Sequence, residues 1–155
     1  MFIGESPPSR GTFFYAASSN LYFATREAFV ATIPHLVGRD FLEEFRRLGC
    51  YVDNLCLEPV NDLYADDPLR IAARAEGQER LAEHIRISRP KAIVVVMMAI
   101  ERNVARAARE ADQDGTPRYA LPFPGRRAHR DRYVTELTAL LKMFVEKGAL
   151  LAGAR

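Results

Sequence analysis

Two hydrophobic patterns alternate along this chain. Short runs of consecutive apolar residues are separated by longer stretches in which apolar residues recur every three or four positions. The clearest short run, Ala92–Met97, holds Ile93, Val94, Val95 and Val96 without polar alternation, which is how a strand buried on both faces reads. Met1–Gly4 is another such run, Cys50–Val52 a third that extends to Leu57, and Tyr119–Pro122 a weaker fourth. Helical periodicity fills the gaps. Asn20–Ala31 is stopped before Pro34, and Asp40–Leu48 sets Phe41, Leu42, Phe45 and Leu48 on one side with Gly49 to end it. Leu69–Ser88 carries Ile71, Ala75, Ala82 and Ile85 at helical spacing, and Ile100–Glu110 carries Ile100, Val104, Ala107 and Ala108. Asp131–Lys147 has the strongest stripe, Val134, Leu137, Leu141, Phe144 and Val145, closed by Gly148.

Strands that alternate with helices imply parallel pairing through right-handed crossovers. The expected fold is α/β: a three-layer α/β/α domain around a central four-stranded parallel sheet, spanning residues 1–155 as a single domain. In such open sheets ligands bind outside the carboxyl ends of the strands, so the loops that follow the strands are where chemistry is expected.

Composition narrows this only a little. With 155 residues, 48% of them hydrophobic and 27% charged, the chain has an ordinary globular balance. Its net charge of +2 permits a nucleic-acid partner without demanding one. Cys50 and Cys56 flank a strand-like stretch, which would set their α-carbons roughly 20 Å apart, too far for a disulfide. With no C-x-x-C pair, reduced thiols in a cytoplasmic protein are expected, without a cysteine-held metal or cluster. No apolar run approaches the roughly 18 residues of a membrane span, and the N-terminus lacks the pattern of a secretory signal. His35 and His84 have no second ligand at metal spacing, and Met97 and Met98 read as core filling.

Three strand-end loops stand out. After the first strand, Gly4-Glu5-Ser6-Pro7-Pro8-Ser9-Arg10-Gly11 leads to Phe13, Phe14 and Tyr15. It suits a stiff loop with an acid, a hydroxyl and flat surfaces for a base, and equally a rigid turn feeding core aromatics. After the second strand, Asn54 offers a donor and an acceptor in fixed geometry, suited to the edge of a base or to capping its own turn. After the fourth strand, Pro122-Phe123-Pro124-Gly125 precedes Arg126, Arg127, Arg130 and Arg132 around His129. Arginines at a helix start suit a phosphate, or form a solvated basic turn.

Taken in order, these segments resemble the uracil-DNA glycosylase superfamily. Gly4-Glu5-Ser6-Pro7-Pro8 is similar to its first motif, Gly-Gln-Asp-Pro-Tyr or Gly-Glu-Ala-Pro-Gly in different branches. Tyr51-Val52-Asp53-Asn54-Leu55-Cys56-Leu57-Glu58-Pro59 resembles the segment that supplies the base-reading asparagine. Arg89-Pro90-Lys91 followed by Ala92–Val96 resembles the third strand with its lead-in, and Leu121-Pro122-Phe123-Pro124 falls where the second motif, His-Pro-Ser-Pro, would stand.

The resemblance implies a DNA glycosylase-like protein that flips a deaminated base into a pocket and excises it. The alternative is a non-catalytic nucleic-acid or nucleotide binding module on the same fold. Single- or double-stranded DNA would be the partner, with no cofactor, metal or membrane. Carried over by position, Asn54 would read the base and Phe13 or Phe14, with Phe14 preferred, would stack on it. Glu5 and Ser6 would lie near the attacking water, and Arg126 and Arg127 would meet phosphates or enter the vacated stack. The histidine of the second motif is Leu121 here, which has nothing to donate. Losing such a donor typically costs about 100–1,000-fold in rate, and His129 replaces it only if its loop folds back. Ser6 stands where the uracil-cutting branch has an acid, and the cysteines that hold an iron–sulfur cluster in one branch are missing.

Overall fold

The computed structural model describes residues 1–150. Four short strands, β1 (Phe2–Gly4), β2 (Val52–Asn54), β3 (Ile93–Val95) and β4 (Arg118–Ala120), form one sheet in the order β2-β1-β3-β4. Every neighbouring pair is parallel. Five α-helices accompany them: α1 (Asn20–Thr32), α2 (Phe41–Arg47), α3 (Pro68–Ser88), α4 (Glu101–Glu110) and α5 (Arg127–Glu146). The α/β class and the four-stranded parallel sheet are as the sequence predicts, and the element content is that of a three-layer α/β/α fold.

By its internal contacts the chain divides into two compact units. The first comprises Met1–Gly11 and Val52–Ala120, and so holds the whole sheet with α3 and α4. Its centre is the β-branched run: Ile3, Ile93, Val95 and Val96 are fully buried. Helix α3 packs along α4 and presses on the backbone that follows β2, so closely that a Cβ on Gly77 would lie 2.0 Å from the Leu55 carbonyl oxygen. Asp67 caps α3 by accepting from the Leu69 amide at 2.8 Å, and Pro68 sits in the first turn, where a missing N–H costs nothing.

The second unit comprises Thr12–Tyr51 and the chain from Leu121 onward, with α1, α2 and α5. Phe14, Tyr22, Phe29, Phe41 and Phe45 form a cluster of edge-on and tilted rings 5.4–5.8 Å apart, a geometry that the ring quadrupoles favour. Helix α1 packs on α5, where the buried Tyr133 hydroxyl shares a 2.8 Å hydrogen bond with Thr25.

Most elements differ from their sequence-predicted ranges by a residue or two at the ends. The second strand is Val52–Asn54 rather than a run to Leu57. The Leu55 and Cys56 amides still bond Gly4 and Glu5 carbonyls, and the chain then turns away. The fourth strand ends at Ala120, before the two prolines that lack a donor. Helix α5 begins four residues early, so Arg127, His129 and Arg130 are inside its first turn. The larger correction concerns α3. Ala82 and Ile85 are buried as expected, but Ile71 and Ala75, expected on the same apolar side, are exposed, and Arg70, Gln78 and Leu81 are buried. No helix among the described residues is long and apolar enough to cross a membrane.

Candidate functional site

The carboxyl ends of β1 and β2 carry the densest polar construction in the first unit. Gly4 pairs with Asn54 in the register of the two strands. A Cβ at Gly4 would stand 2.7 Å from Asn54 Oδ1, so only glycine lets the amide lie over that backbone. The backbone of Asn54 is fixed from two directions. Its N–H donates to Asp53 Oδ1 at 2.8 Å, and its carbonyl accepts from Arg80 Nη2. Arg80 also donates to both oxygens of Asp53, at 3.2 and 3.3 Å, and His84 Nδ1 lies 2.7 Å from Asp53 Oδ2. The side-chain amide of Asn54 is the exception: it is half-buried and makes no hydrogen bond among the described residues.

Glu5 follows Gly4 and is buried, with 7% of its surface exposed. Two arginines of α3 close on it. Arg70 donates through Nε to Oε1 at 2.8 Å and through Nη2 to Oε2 at 2.5 Å. Arg74 places Nε 2.7 Å and Nη2 2.5 Å from Oε1. Burial pushes the Glu5 carboxyl toward the protonated form. The hydrogen bonds and charges of the two arginines outweigh it and hold the group below the usual carboxylate range. A carboxylate so engaged is a weak proton acceptor.

Ser6 is also in use, its Oγ accepting from the Val60 amide at 3.2 Å. Ser9 and Asn61 exchange two further hydrogen bonds, and Arg70 Nη1 donates to the Leu63 carbonyl at 2.6 Å. The loops after β1 and β2 are thus laced to each other and to α3.

The structure brings Glu5, Ser6 and Asn54 together at the ends of β1 and β2. The remaining residues singled out from sequence belong to the second unit. Phe14 is buried at 5% exposure, its ring edge-on to Tyr15 and Tyr22 and tilted against Phe45, whereas Phe13 is 43% exposed. Leu121 is buried. Arg126, Arg127 and His129 are exposed at the start of α5, whose first turn has no acidic residue and no side-chain cap. Among the described residues none of these three has an ion-pair partner, while Arg130 pairs with Glu27 and Arg132 with Glu136. Sequence reasoning missed Asp53, Arg70, Arg74 and Arg80. The signal was the spacing of Arg70, Arg74 and Gln78 along one helix face, beside an acid in a strand-end loop that burial would force to find a cation.

Both cysteines are free thiols. Burial raises Cys50 to about 11, and burial together with the Glu5 charge raises Cys56. No group of three or more histidine, cysteine or acidic side chains among the described residues is placed to hold a metal ion. Compared with models of known protein families, with curated proteins and with solved structures, the chain matches none.

Proposed function

We propose that this chain binds a nucleobase, carried by DNA or by a nucleotide, at the Asn54 amide, and holds it without cleaving the glycosidic bond. The observation that carries the reading is the Asn54 side chain: its backbone is pinned on both sides, yet its own donor and acceptor are unspent among the described residues. A fixed amide at the carboxyl end of a parallel strand suits a base edge that presents a donor beside an acceptor. Support for binding without excision comes from three further residues. Glu5 and Ser6 are occupied within the fold, and Leu121 stands where the resembling family has its donor. Arg126 and Arg127, exposed and without an ion-pair partner among the described residues, suit the phosphates of a strand.

The test is a calorimetric titration with deoxyuridine, deoxyinosine and deoxyadenosine, repeated with oligonucleotides that carry each base. At least one base is expected to bind, and Asn54→Ala is expected to weaken it by about 1–3 kcal/mol, the worth of a two-point contact to a base edge. Failure of every base and strand to bind sinks the reading. The same strands, incubated with excess protein, are expected to keep their bases. Base release that Asn54→Ala and Glu5→Gln both suppress would replace binding with excision.

A further inference from the structure

Two guanidinium groups close on one carboxylate at the end of β1. The side chains of Arg70, Arg74 and Glu5 are only 10%, 12% and 6% exposed. Glu5 balances one of the two cations and leaves one positive charge over. No second acidic side chain reaches either arginine among the described residues. Charges this far out of water are ordinarily paired, because an unpaired one is costly. A fold that keeps such a surplus is ready for an anion from outside.

The two arginines are not equivalent. Arg70 is spent, with Nε and Nη2 on Glu5 and Nη1 on the Leu63 carbonyl. Arg74 donates through Nε to one oxygen of Glu5, and its buried Nη2 lies 2.5 Å from the same oxygen as an ion pair without a hydrogen bond. Its third nitrogen, Nη1, makes no bond among the described residues and is not among the buried side-chain atoms left without a partner, so it reaches solvent. Position supplies the rest. Glu5 follows Gly4, and Gly4 pairs with Asn54 across β1 and β2, which sets the Glu5–Arg74 pair and Asn54 at the carboxyl ends of adjoining strands.

We infer that Arg74 is an anion anchor: Nη1 takes a phosphate oxygen of the ligand whose base Asn54 reads, and the surplus charge of the Glu5–Arg70–Arg74 cluster draws it there. The choice of ligand rests on the base-binding reading; the anion site does not. Arginine suits the task because its charge is permanent and its fork keeps orientation while one edge stays on Glu5. Free phosphate, a nucleotide and a strand all offer this chemistry.

The experiment is a calorimetric titration of the full chain with inorganic phosphate, deoxyuridine, deoxyuridine 3′,5′-bisphosphate and a single strand carrying one deoxyuridine. Wild type is compared with Arg74→Gln, Glu5→Gln and, as an equal change of surface charge, Arg106→Ala. Arg74→Gln is expected to weaken phosphate and bisphosphate about tenfold and to leave deoxyuridine unchanged. Glu5→Gln doubles the surplus charge and is expected to tighten phosphate about tenfold, an effect opposite to that of a mere structural prop. Arg106→Ala is expected to change nothing. Equal phosphate binding by wild type and Arg74→Gln, or weaker binding by Glu5→Gln, overturns the anchor. If Arg74→Gln is unfolded by circular dichroism, Glu5→Gln decides alone: tighter binding supports the anchor, and equal or weaker binding overturns it. A strand that Arg74→Gln weakens assigns the anchor to a diester, and an effect on phosphate and bisphosphate that spares the strand assigns it to a nucleotide. Phosphate held through Arg74 without deoxyuridine binding sinks the base-binding reading and leaves the anchor. Deoxyuridine binding with no gain from its phosphates sinks the anchor alone.

Discussion

Glu5 has to be ionised for its surroundings to make sense, since Arg70 and Arg74 aim four nitrogens at its two oxygens. Its carboxyl loses its proton more readily in the folded chain than in the unfolded one. The folded state therefore binds fewer protons through the acid range, and stability rises with pH there. The contribution is fully present above the ordinary value of 4.5 and is lost as the pH falls through the lower folded value. Glu5→Gln is expected to cost about 3 kcal/mol near neutrality, the lower end for breaking a buried pair from one side. In urea titrations from pH 7 to pH 3, the gap between wild type and Glu5→Gln should hold steady and then narrow below about pH 4.5. A gap that is the same at pH 3 would mean that Glu5 does not titrate through this pair. The cysteines make the opposite case. Burial keeps Cys50 and Cys56 protonated, and thiols rather than thiolates are poor nucleophiles. At pH 8 both are expected to resist a disulfide reagent until urea unfolds the chain; rapid modification of Cys56 in native protein would show that the loop after β2 opens.

At the scale of elements, α3 carries the site, and Gly77 is its point of closest approach. A methyl group there would meet the Leu55 carbonyl, which belongs to the backbone and has no flexible end to move aside. Gly77→Ala is therefore expected to destabilise the chain by about 3 kcal/mol, despite the better helix propensity of alanine. A Gly77→Ala variant as stable as wild type in urea would show that α3 stands off from β2. This helix also marks where the sequence stopped being legible. The third strand is readable because Ile93–Val96 is apolar and β-branched without interruption, and Asn54 falls at a strand end because it follows the apolar run Cys50–Val52. On α3, helical spacing of apolar residues pointed Ile71 and Ala75 inward, whereas Ile71 is 53% exposed. The first half of its buried face is made of Arg70, Arg74 and Gln78, which a count of apolar residues assigns to solvent. The reason for the two arginines' being inside is Glu5, 65 and 69 residues away along the chain. Pairing at that distance leaves no local periodicity. The start of α5 is read four residues late for a related reason: Arg127, His129 and Arg130 read as charges beside a helix start at Asp131, yet they form its first turn.

For the molecule as a whole, 22 basic residues against 20 acidic ones leave too small a net charge to attract a polyanion by itself. Any affinity for a strand then has to come from local surpluses: at Arg70 and Arg74, which share the single carboxylate of Glu5, and at Arg126 and Arg127, which have no acidic partner among the described residues. Each phosphate so neutralised releases counterions, and for a single strand log affinity falls against log salt by about 0.7 per contact. Replacing Arg126 and Arg127 together by alanine is expected to flatten that slope by about 1.4. Asn54→Ala is expected to lower affinity at every salt concentration and to leave the slope alone, because a base edge carries no counterion. Fluorescence anisotropy with a labelled strand at four salt concentrations separates the two effects. If Asn54→Ala flattens the slope instead, Asn54 meets the backbone and not the base. If the double arginine variant keeps the full slope, the start of α5 lies off the path of the strand, and phosphate contact has to be sought at Arg74 alone.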